Sequence, residues 1–162
     1  MQLHSLFILL NTGLHLERLS YPHSLQPKEL ISLDSGYAIE YYLINGKRMP
    51  VWFWGKEIII VTSPYSIVEY LGEGNVSRVS HKDIRHMLRK FEDARKVYKG
   101  VREKMHAAIK ERVHEISHLT PAERYIKLLE TKPWVFEHAE EEDIAGYLGM
   151  TREQYRGMRM ES

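Results

Sequence analysis

Two groups of residues in this sequence have types and spacings that could do chemistry. His114-Glu115-Ile116-Ser117-His118 sets two imidazoles one helical turn apart with a glutamate beside them, a pattern that can hold zinc and activate water. Arg152, Arg156 and Arg159 fall at i, i+4 and i+7, so a helix presents them on one face. Guanidinium groups on such a face reach phosphates and the O6/N7 edge of guanine. The histidine group is incomplete. Zinc catalysis needs a third ligand and an open coordination position, yet Leu119-Thr120-Pro121 ends the helix, leaving only His138 or Glu123 to guess at. Among 9 His and 22 acidic residues a chance match at this spacing is unsurprising. We therefore assign no catalytic residue, no metal and no cofactor, and expect a protein that is not an enzyme.

The arginines need two helices to place them, and the surrounding residues supply the signals. Ile144-Ala145-Gly146-Tyr147-Leu148-Gly149-Met150-Thr151 reads as a helix, a glycine turn and the cap of a second helix, with Gln154 completing the cap. That is a helix-turn-helix pattern; the plainer reading is a helical hairpin with a solvated basic face. Ile144, Leu148, Met150, Tyr155 and Met158 would pack the two helices, and Ala145 would let them approach. Glu140-Glu141-Glu142-Asp143 opens the first helix, where negative charge suits the macrodipole. It would repel DNA from the groove side, so it is expected to face away.

Upstream, Thr120-Pro121-Ala122-Glu123 predicts another helix start, with Lys132-Pro133 at its end. Ser80 and Asp83 cap a helical stretch that runs without proline to His118. Within it Tyr98, Val101, Met105, Ala108, Arg112 and Ile116 alternate three-and-four spacing, with Ile109 and Val113 alongside. Such a seam needs a partner helix, so Tyr98, Val101, Met105, Ala108, Ile109 and Ile116 are the expected dimer contacts. Before residue 80 the chain reads as strands. Tyr37–Ile44, the Asn45-Gly46 turn and Val51–Trp54 form a hairpin, followed by short strands at Ile58–Val61, Ser66–Tyr70 and Val76–Val79. Short strands joined by glycine turns suggest an antiparallel roll. The aromatics Tyr41, Tyr42, Trp52, Phe53 and Trp54 are expected in its core.

Composition agrees with a globular chain: 162 residues, 43% hydrophobic, 28% charged and no cysteine. Disulfides, thiol catalysis and thiolate metal sites are thereby excluded. The apolar run Leu6–Leu10 is too short for a membrane span or a secretory leader, and a cytoplasmic location is expected. The net charge of +1 is uneven: −1 over residues 1–80, +5 over 81–118 and −3 over 119–162. A basic middle and an acidic end do not describe a general polyanion binder.

The tail from Thr120-Pro121-Ala122-Glu123-Arg124-Tyr125 through Ile144–Thr151 resembles the C-terminal domain of the Crp/Fnr transcription regulators. The hairpin Gly36–Trp54 is similar to one in that family's cyclic-nucleotide-binding-like roll, and the order roll, long helix, helix-turn-helix also matches. The resemblance implies a recognition helix, Thr151–Arg159, with Thr151, Arg152, Glu153, Arg156 and Arg159 at the DNA; Arg152-Glu153 match the family's base-contacting pair. Arg124 or Lys127 would touch phosphates. Two positions depart. Gly157 stands where a further basic residue is usual, and Tyr65 stands in place of the arginine that holds the cyclic phosphate. The segment Gly55–Ser63 is too short for the cassette helix, and Gly72-Glu73 with Arg78 could only imitate it.

The expectation is an α+β protein. A trimmed antiparallel roll would span residues 1–80, a helical linker and dimerisation helix 81–118, and a helix-turn-helix domain 119–162. Its expected role is a homodimeric DNA-binding regulator that does not respond to cyclic nucleotides, with double-stranded DNA and a second copy as partners, no membrane and no effector named. The alternative is a degenerate dimeric sensor or interaction module that no longer binds DNA specifically.

Overall fold

A computed structural model describes residues 15–19, 30–56, 58–61, 63 and 65–161. Leu6–Leu10 and Pro64 lie outside the described residues. Among the described residues seven strands precede six helices: β1 (His15–Leu19), β2 (Leu30–Leu33), β3 (Tyr37–Ile44), β4 (Lys47–Trp54), β5 (Ile58–Val61), β6 (Ile67–Leu71) and β7 (Gly74–Val79). The strands form two antiparallel sheets, ordered β1-β7-β2-β5 and β4-β3-β6. Asn45 and Gly46 both take positive φ, 52° and 76°, as a two-residue hairpin turn requires. The β3–β4 register shifts at Glu40/Tyr41, where Pro50 has no N–H to give the ladder. As β4 is an edge strand, the proline is tolerated.

Strand alternation sorts β3 and β4 between two cores. Ala38 and Trp54 turn inward with Ile31, Leu33, Ile60, Val68, Tyr70 and Val76, filling the space between the sheets. There Glu40 accepts from Ser66 Oγ at 2.6 Å and from Trp54 Nε1 at 3.0 Å, so the buried indole N–H is satisfied. Ile39, Tyr41 and Phe53 turn the other way, onto the C-terminal helices. Of the aromatics expected in the core, Tyr41, Phe53 and Trp54 are buried, Trp52 is half-buried and Tyr42 is exposed.

The helices are α1 (His81–Lys90), α2 (Glu92–His118), α3 (Pro121–Thr131), α4 (Val135–His138), α5 (Glu141–Leu148) and α6 (Arg152–Glu161). The stretch read as one helix from Ser80 to His118 is two. Phe91 leaves helical geometry at φ −122°, ψ 123°, and α2 folds back with Ala94 and Val101 on Leu30, Ile59, Val79 and Ile84. No proline marks that break; packing on the roll makes it. The local caps stand where the sequence puts them. Ser80 accepts from Asp83 N, and Thr120 with Glu123 forms a complete capping box over a proline at the helix start.

The architecture is α+β, as expected. No helix among the described residues is long and apolar enough to cross a membrane.

Candidate nucleic-acid interface

The paired helices α5 and α6 are built on buried side chains. Ile144, Ala145, Tyr147, Leu148 and Tyr155 are within 4% of full burial and join one core with Tyr125, Leu128 and Val135 of α3 and α4 and with Ile39, Tyr41, Phe53 and Leu71 of the roll. Met150 and Met158 pack at its edge. The turn between α5 and α6 rests on Gly149, at φ 75°, ψ 39°, a left-handed conformation that glycine adopts without strain. Gly146 serves a different need. A Cβ there would stand 3.1 Å from Pro50 Cδ, so the bare backbone lets α5 lie directly on β4. Thr151 then caps α6: Gln154 N donates to Thr151 Oγ1 at 3.2 Å, and Thr151 N donates to Gln154 Oε1 at 2.8 Å.

With Tyr155 turned into the core, helix periodicity puts Glu153, Gly157 and Met160 at the outermost edge of α6. Met160 is 87% exposed, and the position of Gly157 is open. Arg152, Arg156 and Arg159 share the adjoining flank, each about half exposed. That flank leans on α5. The Glu141 carboxylate meets all three guanidiniums: Arg156 donates from Nε at 2.8 Å with Nη2 also 2.8 Å away, Arg152 donates from Nε at 3.3 Å, and Arg159 Nη1 lies 3.6 Å away. Hydrogen bonding from Arg156, then from Arg152, holds the Glu141 carboxyl below its usual range. The expectation that the acidic cluster faces away thus needs correcting at Glu141. Glu141 sits among the arginines, and Asp143 is buried against the roll, 3.1 Å from Arg48 Nη2. Nothing in the local spacing announces either contact, because both partners arrive from other elements.

Lys127 and Arg124 do not reach outward in the way a phosphate contact needs. Lys127 Nζ is held by Glu111 at 2.7 Å and Glu115 at 2.8 Å, and those bonds raise its pKa. Arg124 is half-buried beside Gly149, and desolvation lowers its pKa. The zinc-like pattern is likewise committed elsewhere. Glu115 Oε2 accepts from Arg112 Nη1 at 3.0 Å while Oε1 pairs with Lys127; these bonds outweigh burial and keep the carboxylate below its usual pKa. His114 and His118 stack at 4.3 Å. No group of three metal-ligating side chains occurs among the described residues.

The apolar seam of α2 divides. Val101 is covered within the chain at 6% exposure. Met105 packs on the roll, its sulfur accepting from Val61 N at 3.3 Å. Tyr98 and Ala108 are half-buried on that side. Arg112 is buried over the Tyr147 ring, 3.5 Å from its centroid, and donates to Tyr147 O, pinning α2 to α5. About a quarter turn around the helix, Ile109, Val113 and Ile116 are 57%, 58% and 53% exposed.

Between α2 and the end of β4 lies a cavity of about 530 Å³, walled by Trp52, Trp54, Ile58, Val101 and Met105. Lys132, from the end of α3, reaches its rim, donating to Phe53 O at 3.0 Å with Nζ 3.8 Å from the Trp52 ring centroid. Burial pushes this ammonium down to about 8. Sequence reading missed Lys132, whose only local signal was a helix end. β5 occupies the segment Gly55–Ser63, Gly72 and Glu73 form the β6–β7 turn, and Arg78 lies within β7. Tyr65 is 82% exposed.

No protein-family model matches the sequence, and no curated protein matches it. Solved structures do. FixK2 from Bradyrhizobium japonicum superposes with a TM-score of 0.73 at 14% identity, over 92% of this chain and 83% of that one. CLP from Xanthomonas campestris, a c-di-GMP responsive global regulator, gives 0.75 at 10% identity, over 98% and 90%. A crp/fnr family protein from Eubacterium rectale gives 0.76 at 14% identity, over 95% and 80%. The chain has a Crp/Fnr-like, cyclic-nucleotide-binding fold. Within that Crp/Fnr-like frame, the roll, α2 and the α5–α6 pair keep the order the sequence resemblance implied.

Proposed function

We propose that this chain is a homodimeric, DNA-binding transcriptional regulator that reads the major groove with α6. The observation that carries the reading is the capped, solvent-facing α6, with Arg152, Arg156 and Arg159 on one flank and Tyr155 anchoring the other side. Thr151 and Glu153 stand at the same end as Arg152 and complete the contact set. The Crp/Fnr-like fold supports the role. A cyclic nucleotide is not the effector in this reading, because an anionic phosphate needs a fixed guanidinium or several backbone donors. Tyr65 stands out in solvent where the resemblance puts that arginine, and the cavity beside α2, where Lys56, Lys104 and Lys132 join apolar side chains, is lined by no arginine among the described residues.

The test is to capture fragmented genomic DNA on the purified protein, sequence what is enriched, and titrate duplexes carrying the enriched site. Arg152→Ala should cost about 1–3 kcal/mol at that site and relax one base position. Arg159→Ala should weaken all sequences alike and reduce the salt slope by about one. A second reading, a dimeric sensor or interaction module without specific DNA binding, is favoured by the pairing of the arginines with Glu141 and by Gly157. Enrichment of no sequence decides for it.

A further inference from the structure

The three arginines do not present an open cationic face; one carboxylate from the neighbouring helix sits among them. Glu141 Oε2 accepts a hydrogen bond from Arg156 Nε, has Arg156 Nη2 2.8 Å away as an ion pair, and accepts one from Arg152, and Oε1 faces Arg159. An oxyanion held by guanidiniums from one helix flank is the arrangement a DNA phosphate would take there. We propose that Glu141 is a built-in competitor of DNA, a carboxylate that stands in the phosphate position of the α6 arginine cluster and must be displaced by any duplex, a step that also frees Arg152 for its base.

The proposal rests on the DNA-binding reading and deepens it. Phosphate contacts supply affinity for every sequence alike, whereas base contacts discriminate. A resident carboxylate penalises phosphate contact on any sequence, by its own displacement and by repulsion of the incoming phosphate. It leaves Glu153, at the outermost edge of α6, free to meet base edges. An isolated surface ion pair contributes little. Here a single carboxylate is shared by three guanidiniums, one of them in a two-pronged contact, and all four groups lie on the surface a duplex would cover. Glu142, one residue on, is exposed and outside the cluster, so it offers the same charge change without the contact.

The experiment is a fluorescence-anisotropy titration of wild type, Glu141→Gln and Glu142→Gln against two labelled duplexes. One carries the genome-enriched site and the other a scrambled sequence of equal length, each at several salt concentrations. Thermal melting confirms that the variants are folded. Glu141→Gln should bind the scrambled duplex about tenfold more tightly than wild type and steepen its salt slope by roughly one phosphate contact. It should tighten on the enriched site by a similar factor, while Glu142→Gln should change either affinity less than twofold. Scrambled-duplex affinity in Glu141→Gln that is unchanged, weaker, or matched by Glu142→Gln overturns the proposal. If wild type shows no preference between duplexes but Glu141→Gln still tightens on both, the carboxylate's role survives and the regulator reading fails. No binding by any of the three at low salt ends both.

Discussion

Arg48 shows how one side chain can join two parts of the fold. Its Nη2 lies 3.1 Å from Asp143 on α5 and 3.2 Å from Glu69 on β6, and its guanidinium covers the Tyr41 ring at 4.1 Å. Tyr41 donates to the other oxygen of Glu69 at 3.0 Å, and burial pushes that phenol up to about 12. Burial also raises the Asp143 carboxyl to about 6; Arg48 opposes that rise, and Glu140, Glu69 and Glu142 add to it. A folded-state pKa above the ordinary value near 3.8 means that the fold favours the protonated acid. Its stabilising contribution is complete below pH 3.8 and is lost as pH rises through 6. Asp143→Asn should therefore gain on wild type between pH 4.5 and pH 7, by at most about 3 kcal/mol from the size of the shift. Urea unfolding at both pH values checks it; a stability difference independent of pH contradicts it.

At the scale of elements, α6 is held by few buried side chains. Tyr155 alone is fully buried, with Met158 packed at the edge, and Gly157 lowers helix propensity in its second half. Replacing that glycine is sterically free, since nothing lies within 4 Å of a Cβ at the position. Gly157→Arg should raise stability by about 1 kcal/mol through backbone propensity. It also adds a cation at the outer edge of α6, away from Glu141, and so should tighten binding to the enriched duplex. A melting temperature that does not rise rejects the propensity argument. A rise without a gain in DNA affinity shows that this edge does not meet the duplex. Helix α5 is constrained from the opposite direction: Gly146 against Pro50 leaves no room for a side chain without movement of β4.

For the whole molecule the decisive fact is that one core spans both parts. Phe53 and Tyr41 of the roll pack with Tyr147, Leu148 and Tyr155 of the terminal helices, and Arg112 ties α2 to the same core. On α2 this core leaves outside the stripe Ile109, Val113 and Ile116, which is the face the proposed dimer would use. Sedimentation at micromolar concentration should give about twice the chain mass, since a stripe of this kind favours a second helix. Val113→Glu should yield a folded monomer, because the residue is 58% exposed within the chain. Met105→Glu should instead destabilise the fold, placing a charge against β5. A wild-type monomer across that range, or a Val113→Glu dimer, rules the stripe out as the interface.

What the sequence alone determined were features decided within a few residues. The Asn45-Gly46 turn, the Ser80, Thr120 and Thr151 caps and the Gly149 break all depend on contacts between residues at most three or four apart, so their spacing is visible in the chain. The resemblance to Crp/Fnr regulators was legible for the same reason, since it rested on those ordered signals. Tertiary structure decided the rest. The α2 seam looked like one surface because periodicity gives the angles of side chains around a helix but not which element covers each angle. The roll took Val101 and Met105, Tyr147 took Arg112, and Ile109, Val113 and Ile116 were left outside. Glu141 read as a helix-start acid, and Asp143 as its neighbour, until packing brought one to Arg156 and the other to Arg48. Charge pairs between distant segments depend on how the elements dock, and docking is set by the whole core rather than by any local run of residues.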